Sequence, residues 1–208
     1  MKQPPPKVYI VRTGTANIAS VTVGLKRSGA VPVFAETSED VERADRVVLP
    51  GVGAFGPAMK QLRADGFAAP LRKRIEQGRA TLAVCLGLQL LCEESEESPD
   101  VSGLGVIPMT VKRFTLPLRV PQLGWNSIEP LPGCKLLKPG YAYFANSYRL
   151  SEIPEGWNGA MSDHGGPFVA ALERGCVLAC QFHPELSGSW GLDLIRSWIA
   201  LPVEEGKC

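Results

Sequence analysis

Residues 81–91 read TLAVCLGLQLL, and Cys85 stands where one pattern gives way to another. TLAV is an unbroken apolar run of strand length, of the kind shown by parallel strands covered on both faces. LGLQLL is apolar as well and reads as the opening of a helix, so the segment is a strand running directly into a helix. The small residues Ala83 and Gly87 flank the cysteine, where so sharp a turn leaves little room. A thiol on such a turn is presented at the carboxyl edge of a sheet, facing the positive end of the following helix, which favours the ionised sulfur. From this segment alone a buried structural cysteine remains the competing reading.

Outward from this turn, the first half alternates strand and helix. VYIV (8–11), VPVFA (31–35) and RVVLP (46–50) are further short apolar runs, and Asn17 precedes Ile18, Val21 and Leu25 at helical spacing. Residues 57–78 read as helix interrupted near Gly66 and Pro70. Beyond about residue 100 the texture becomes strand and turn, in VKRFTL, NSIEPL, YAYFANSYRL and FVAALERG. A last helix from Ser189 to Leu201 places Leu192, Ile195 and Ile199 on one face. The expected architecture is α/β: an open mixed sheet, mainly parallel in the first half and flanked by helices, with an antiparallel β portion in the second. With 208 residues, 45% of them hydrophobic, one domain spanning 1–208 is expected, with the proline-rich residues 1–6 as a flexible arm.

Twenty-two basic residues against 21 acidic ones give no concentrated charge for nucleic acid or an anionic membrane. The amino terminus lacks the apolar core of a secretory signal and no apolar run reaches membrane-spanning length, so a cytoplasmic protein is expected. Six cysteines spread through so long a chain do not suggest a disulfide framework. Any imidazole chemistry must use His164 or His183, the only two histidines.

His183 lies in QFHPE (181–185). Pro184 pushes His183 toward an extended conformation, and residues two apart on an extended chain share a side, so Glu185 can reach the ring. A carboxylate on one ring nitrogen turns the other toward a nucleophile, the logic of triad catalysis in any fold. The plainer alternative is a surface pair. Cys176, Cys180 and His183 lie close in sequence, yet zinc needs a further ligand pair and none is in view, so no metal is expected. In LPGVGAFG (49–56), Gly51, Gly53 and Gly56 match G-x-G-x-x-G, but the next strand ends at Cys85 rather than at an acidic residue for a ribose. Either this is a mere tight turn or it turns backbone amides toward developing negative charge, with the amides of Val52 and Leu86 forming an oxyanion hole.

Together LPGVGAFG, CLGLQ (85–89), PQLGWN (121–126), YFANSY (143–148) and QFHPELS (181–187) resemble, in order and spacing, the class I glutamine amidotransferases. More narrowly, the GVGAFG turn, the GWN and the YF-x-x-SY segments are similar to the glutaminase subunits of imidazole glycerol phosphate synthase in histidine biosynthesis. The resemblance implies that Cys85 attacks the glutamine side-chain carbonyl, with His183 as base and Glu185 fixing the imidazole, and that Gly53, Gln89, Ser147 and Tyr148 hold glutamine. It also implies a heterodimer with a cyclase subunit built as a (β/α)₈ barrel, which consumes the ammonia, and no cofactor. Trp125 and Asn126 are the candidate interface residues. Two alternatives stand beside this one: a glutaminase subunit of another synthase, and a catalytically idle scaffold. The chain departs from the family pattern at Arg12 and Thr13, in place of an Asp-Tyr pair. Ala16 and Ala83 replace glycines, Gln122 and Asn146 replace histidines, and Leu186 replaces a lysine.

Overall fold

The computed structural model describes residues 4–14, 17–115 and 119–203. Its first half runs β1 (Lys7–Ile10), α1 (Ile18–Arg27), β2 (Val31–Phe34), α2 (Ser38–Arg43), β3 (Val47–Leu49), α3 (Phe55–Ala64), α4 (Ala68–Glu76), β4 (Thr81–Val84) and α5 (Leu86–Leu90). The second half adds β5 (Cys92–Ser95), β6 (Ile107–Arg113), β7 (Gln122–Pro130), β8 (Gly140–Asn146), β9 (Tyr148–Arg149), β10 (Asn158–Asp163), β11 (Pro167–Arg174) and β12 (Val177–Cys180). A 3₁₀ turn at Pro184–Leu186 and α6 (Gly188–Ile199) follow.

Strands from both halves join one sheet in the order β2-β1-β3-β4-β12-β11-β10-β7-β8, and β5, β6 and β9 form a smaller one. Pairing is parallel from β2 across to β12 and antiparallel from β12 to β8. The fold is therefore the expected mixed α/β sheet, and β12 is the joint, parallel to β4 on one side and antiparallel to β11 on the other. The apolar runs of β3, β4 and β12 are buried at every position because helices cover both faces. Val21, Leu25, Leu192, Ile195 and Trp198 of α1 and α6 pack on one face, and Met59, Leu62, Leu71 and Ile75 of α3 and α4 on the other.

The register between β4 and β12 positions the site. Val84 pairs with Cys180, so Cys85 and Gln181 leave the sheet side by side. Cys85 donates its amide to the Cys180 carbonyl at 2.7 Å, holding the turn to the neighbouring strand.

Several elements differ from the expected ones for local reasons. α2 carries no apolar stripe and buries only Val41; it is nucleated by a capping box between Thr37 and Asp40. The break expected near Gly66 is present, its φ of 74° separating α3 from α4, whereas Pro70 makes no second break and sits in the first turn of α4. The polar run of β10, NGAMSD, gave no strand signal and is held by its neighbours β11 and β7. Of the expected arm, residues 1–3 lie outside the described residues, while the Pro6 carbonyl already accepts the Val31 amide at 2.9 Å.

Arg74 of α4 is a fully buried cation spent on backbone. Its guanidinium donates to the carbonyls of Val41, Ala44, Asp45 and Ala80 and to the Thr81 hydroxyl, tying α2 and its following loop to β4. Replacement by methionine takes this donor from the Val41 and Asp45 carbonyls and leaves those of Ala44 and Ala80 with only Arg79 and the Val47 amide. Arg74→Met is expected to lower unfolding free energy by roughly 3 kcal/mol, read from the midpoint of urea unfolding at constant slope.

Candidate active site

Cys85 is the one non-glycine residue with positive φ among the described residues, at φ 53° and ψ −107°. Such a backbone is sparsely populated, and it persists only where neighbours over-determine it. The sharp turn needs Gly87, where a Cβ would lie 2.1 Å from the Leu49 carbonyl oxygen at the end of β3. The first turn of α5 then closes on the cysteine, the Leu88 and Gln89 amides donating to the Cys85 carbonyl.

The His-Pro-Glu segment arrives from β12. His183 is extended (φ −101°, ψ 95°), as Pro184 requires, but the chain then winds into the 3₁₀ turn instead of continuing extended. Glu185 still reaches the ring: its Oε1 lies 3.0 Å from His183 Nδ1, with both side chains buried. Gly24 of α1 lets that helix press directly on the turn, since a Cβ there would come within 2.8 Å of the Glu185 Cβ. Ser187 braces the other side, its hydroxyl donating to the His183 carbonyl at 2.6 Å and accepting the Tyr143 amide of β8 at 2.9 Å.

Cys85, His183, Val52, Gly53, Leu86, Gln89, Ser147 and Tyr148 all line one cavity of about 240 Å³. Glu185 stands behind His183, outside the lining. The structure therefore brings together every expected triad, oxyanion and substrate-holding residue. The Leu86 amide donates to the Gly51 carbonyl at 3.3 Å in this conformation, so an oxyanion can use that amide only by displacing the carbonyl. Trp125 and Asn126 lie apart on β7: Trp125 is 58% exposed, and the Asn126 side chain donates to the Asp163 carbonyl.

Besides Asn146, noted in the sequence only as a departure from the family pattern, two lining residues escaped the sequence reading of the site. Glu97 comes from the run CEESEESPD, where nothing distinguishes it from its neighbouring glutamates. Folding selects it, its Oε2 accepting the Phe55 amide at 2.7 Å at the start of α3. Ala145 is invisible because only its carbonyl matters: it faces the Cys85 sulfur at 3.8 Å.

The electrostatics favour a charged imidazole. Burial works against the imidazolium of His183, but hydrogen bonds and charge from Cys85 and Glu185 outweigh it and raise its pKa to about 10. Glu185 Oε2 takes no hydrogen bond from any described residue, so His183 is the partner that compensates this buried carboxylate. Burial pushes the other free thiols among the described residues, Cys92, Cys134 and Cys180, above their ordinary value, which leaves them poor nucleophiles. Among the described residues no group of three metal-binding side chains could hold an ion, and no helix is long and apolar enough to cross a membrane.

Residues 15–196 match the family described as glutamine amidotransferase class-I. The imidazole glycerol phosphate synthase subunit HisH of Chlorobaculum tepidum is 36% identical over 92% of this chain and 98% of its own length. HisH of Geobacillus kaustophilus is also 36% identical, over 96% of this chain and 99% of its own. The chloroplastic imidazole glycerol phosphate synthase hisHF of Arabidopsis thaliana is 40% identical over 92% of this chain, which spans only 34% of that longer protein. A crystal structure of a glutamine amidotransferase superposes with a TM-score of 0.73 at 25% identity, covering 91% of this chain and 96% of the other.

The raised histidine has a measurable sign. Its folded pKa lies above the ordinary 6.5, so the stabilisation it provides is complete below that value and is lost as pH rises through about 10. In a nitrogen-15 NMR titration the His183 ring is expected to stay protonated past pH 8. Glu185→Gln, which removes one of the raising contacts, is expected to bring the midpoint down.

Proposed function

The chain belongs to the class I glutamine amidotransferases, and from that premise we propose that it hydrolyses glutamine to glutamate and ammonia and feeds the ammonia to a synthase partner in histidine biosynthesis. The carrying observation is that Cys85 and His183 face one cavity while Glu185 holds the far nitrogen of the ring. The Cys85 sulfur attacks the side-chain amide carbon of glutamine, and the tetrahedral oxyanion is met by the amides of Val52 and Leu86 once the Gly51 carbonyl yields its place. The proton on His183 passes to the departing nitrogen, so ammonia leaves and a thioester remains. Water, deprotonated by His183, then attacks the thioester, and glutamate departs as the thiolate re-forms. Gly53, Gln89, Ser147 and Tyr148 hold the substrate, and the Glu97 carboxylate on the cavity wall suits its α-ammonium group.

Ammonia released to bulk solvent serves no synthesis, so the cavity needs a partner over it. We assign that partner as a cyclase subunit with a (β/α)₈ barrel, forming a heterodimer in the cytoplasm and using the ammonia to make imidazole glycerol phosphate and aminoimidazole carboxamide ribotide. The surface that supports this assignment lies next to the site. Leu123 and Trp125 of β7 and Tyr141 of β8 are 58–67% exposed, and Leu186, one residue past the triad glutamate, is 39% exposed. The β7–β8 register puts Trp125 opposite Tyr143, whose carbonyl accepts the His183 amide, so a partner docked here touches strands hydrogen-bonded to the histidine backbone. This chain acts, in this proposal, as one catalytic domain.

Cys85→Ala is expected to abolish glutamine-dependent synthesis by the reconstituted pair while leaving ammonia-dependent synthesis intact; persistence of glutamine-dependent turnover would remove Cys85 as nucleophile. Trp125→Ala is expected to weaken association with the cyclase by more than about tenfold, as loss of a central aromatic anchor does. Titration calorimetry of the two purified chains measures it, and an unchanged affinity would place the interface elsewhere.

A further inference from the structure

Gln181 is the first residue past β12 and is wholly buried, with its backbone amide donating to the Ala170 carbonyl at 2.8 Å. It stands beside Cys85 because β4 and β12 run parallel in register. Its side-chain orientation follows from its neighbours. Gln89 Nε2 lies 3.1 Å from the Tyr148 carbonyl oxygen and 3.0 Å from Gln181 Oε1. A carbonyl only accepts, so the Gln89 nitrogen is the donor in both bonds and the atom it meets on Gln181 is the oxygen. The Gln181 amide nitrogen therefore points the other way, onto the Cys85 sulfur at 3.7 Å.

We propose that Gln181 is a catalytic residue that donates a side-chain N–H to the Cys85 sulfur, stabilising the thiolate before attack and again when the thioester breaks. This rests on Cys85 being the nucleophile. Beside the His183 ring, whose positive charge also favours the anion, the sulfur meets two opposed partners: the Ala145 carbonyl at 3.8 Å can only accept and so suits the thiol, while the Gln181 amide donates and suits the anion. The opposing placement of Phe182 supports a role beyond filling space. Phe182 turns into the core against Phe144 and Trp190, whereas Gln181 and His183, two apart, both face the cysteine. Burying an amide is costly unless its hydrogen bonds are met, and both side-chain bonds of Gln181 run to the active site. Through Gln89, which lines the cavity, the donor is also latched to the wall that holds the substrate.

The test is the rate of Cys85 carbamidomethylation by iodoacetamide in the full chain, followed by peptide mass spectrometry from about pH 5 to pH 10. Gln181→Met keeps the volume and removes the donor. It is expected to alkylate about tenfold more slowly near pH 7 and to reach the parent rate within about twofold at the alkaline end of the range. A profile superimposable on that of the parent, or one lowered equally at all pH values, would overturn the proposal. Where Gln181→Met fails to fold, Gln181→Glu keeps an acceptor for Gln89, sets a carboxylate against the sulfur, and is expected to react more slowly still near pH 7; a parent-like rate would again overturn it. A parent protein whose Cys85 reacts no faster near pH 7 than free cysteine would remove the nucleophile itself, a failure distinct from that of Gln181.

Discussion

The left-handed backbone at Cys85 is the constraint on which the rest of the molecule depends. A non-glycine residue held there costs roughly 1–3 kcal/mol, and nothing in the cysteine itself repays that. Its neighbours do: the hydrogen bond from its amide to the Cys180 carbonyl, the tight passage of Gly87 under the Leu49 carbonyl, and the short helix α5 that closes on the Cys85 carbonyl. Each of these anchors belongs to a different part of the chain. The turn is therefore stable only when β3, β4 and β12 are assembled, and the presentation of Cys85 is created by the tertiary fold rather than carried on a preformed local element.

The mixed sheet explains where the site lies. β4 and β12 run parallel, so the chain leaves both at the same edge, and the residues emerging there are Cys85 on one side and Gln181 to Glu185 on the other. Open α/β sheets place their ligands at the carboxyl ends of strands for this reason. The antiparallel half adds the third wall, because β8 ends in Ala145 and Asn146 against the cysteine and continues into Ser147 and Tyr148. Two helices press on the triad turn from behind, α1 through Gly24 and α6 through its packing on the 3₁₀ turn. Charge is compensated within the site itself: a buried carboxylate, an imidazole raised toward the imidazolium, and a sulfur with one amide donor.

The same geometry separates the cavity from an exposed apolar face. The floor of the cavity is made by the buried Cys85, Gln89 and His183, while the apolar side chains of Leu123, Trp125 and Tyr141 face outward from the last two strands of the sheet. One strand serves both, since Tyr143 of β8 packs edge-on against Trp125 and hydrogen-bonds through its backbone to His183 and Ser187. A partner pressing on the outer face thus acts on backbone bonded to the histidine, which gives physical contact between the two surfaces.

Local pattern determined the strands β1 to β4, the helices α1 and α6, the strand-to-helix turn at Cys85 and the pairing of His183 with Glu185, because each is written in residues no more than a few positions apart. Apolar runs, a cap at Asn17 and a proline after His183 are short-range signals that survive without context. What only the tertiary structure decided are relations between distant residues of similar local character. Glu97 is one glutamate among several until α3 needs a partner for its first amide. Gln181 is one polar residue beside a motif until the β4–β12 register sets it against a sulfur 96 positions away and Gln89 turns its nitrogen inward. The Gly51 carbonyl that occupies the Leu86 amide has no side chain to announce it. Hydrophobic periodicity specifies which face of a segment is buried, whereas strand order and register specify who meets whom, and that second choice is made by packing of the whole sheet.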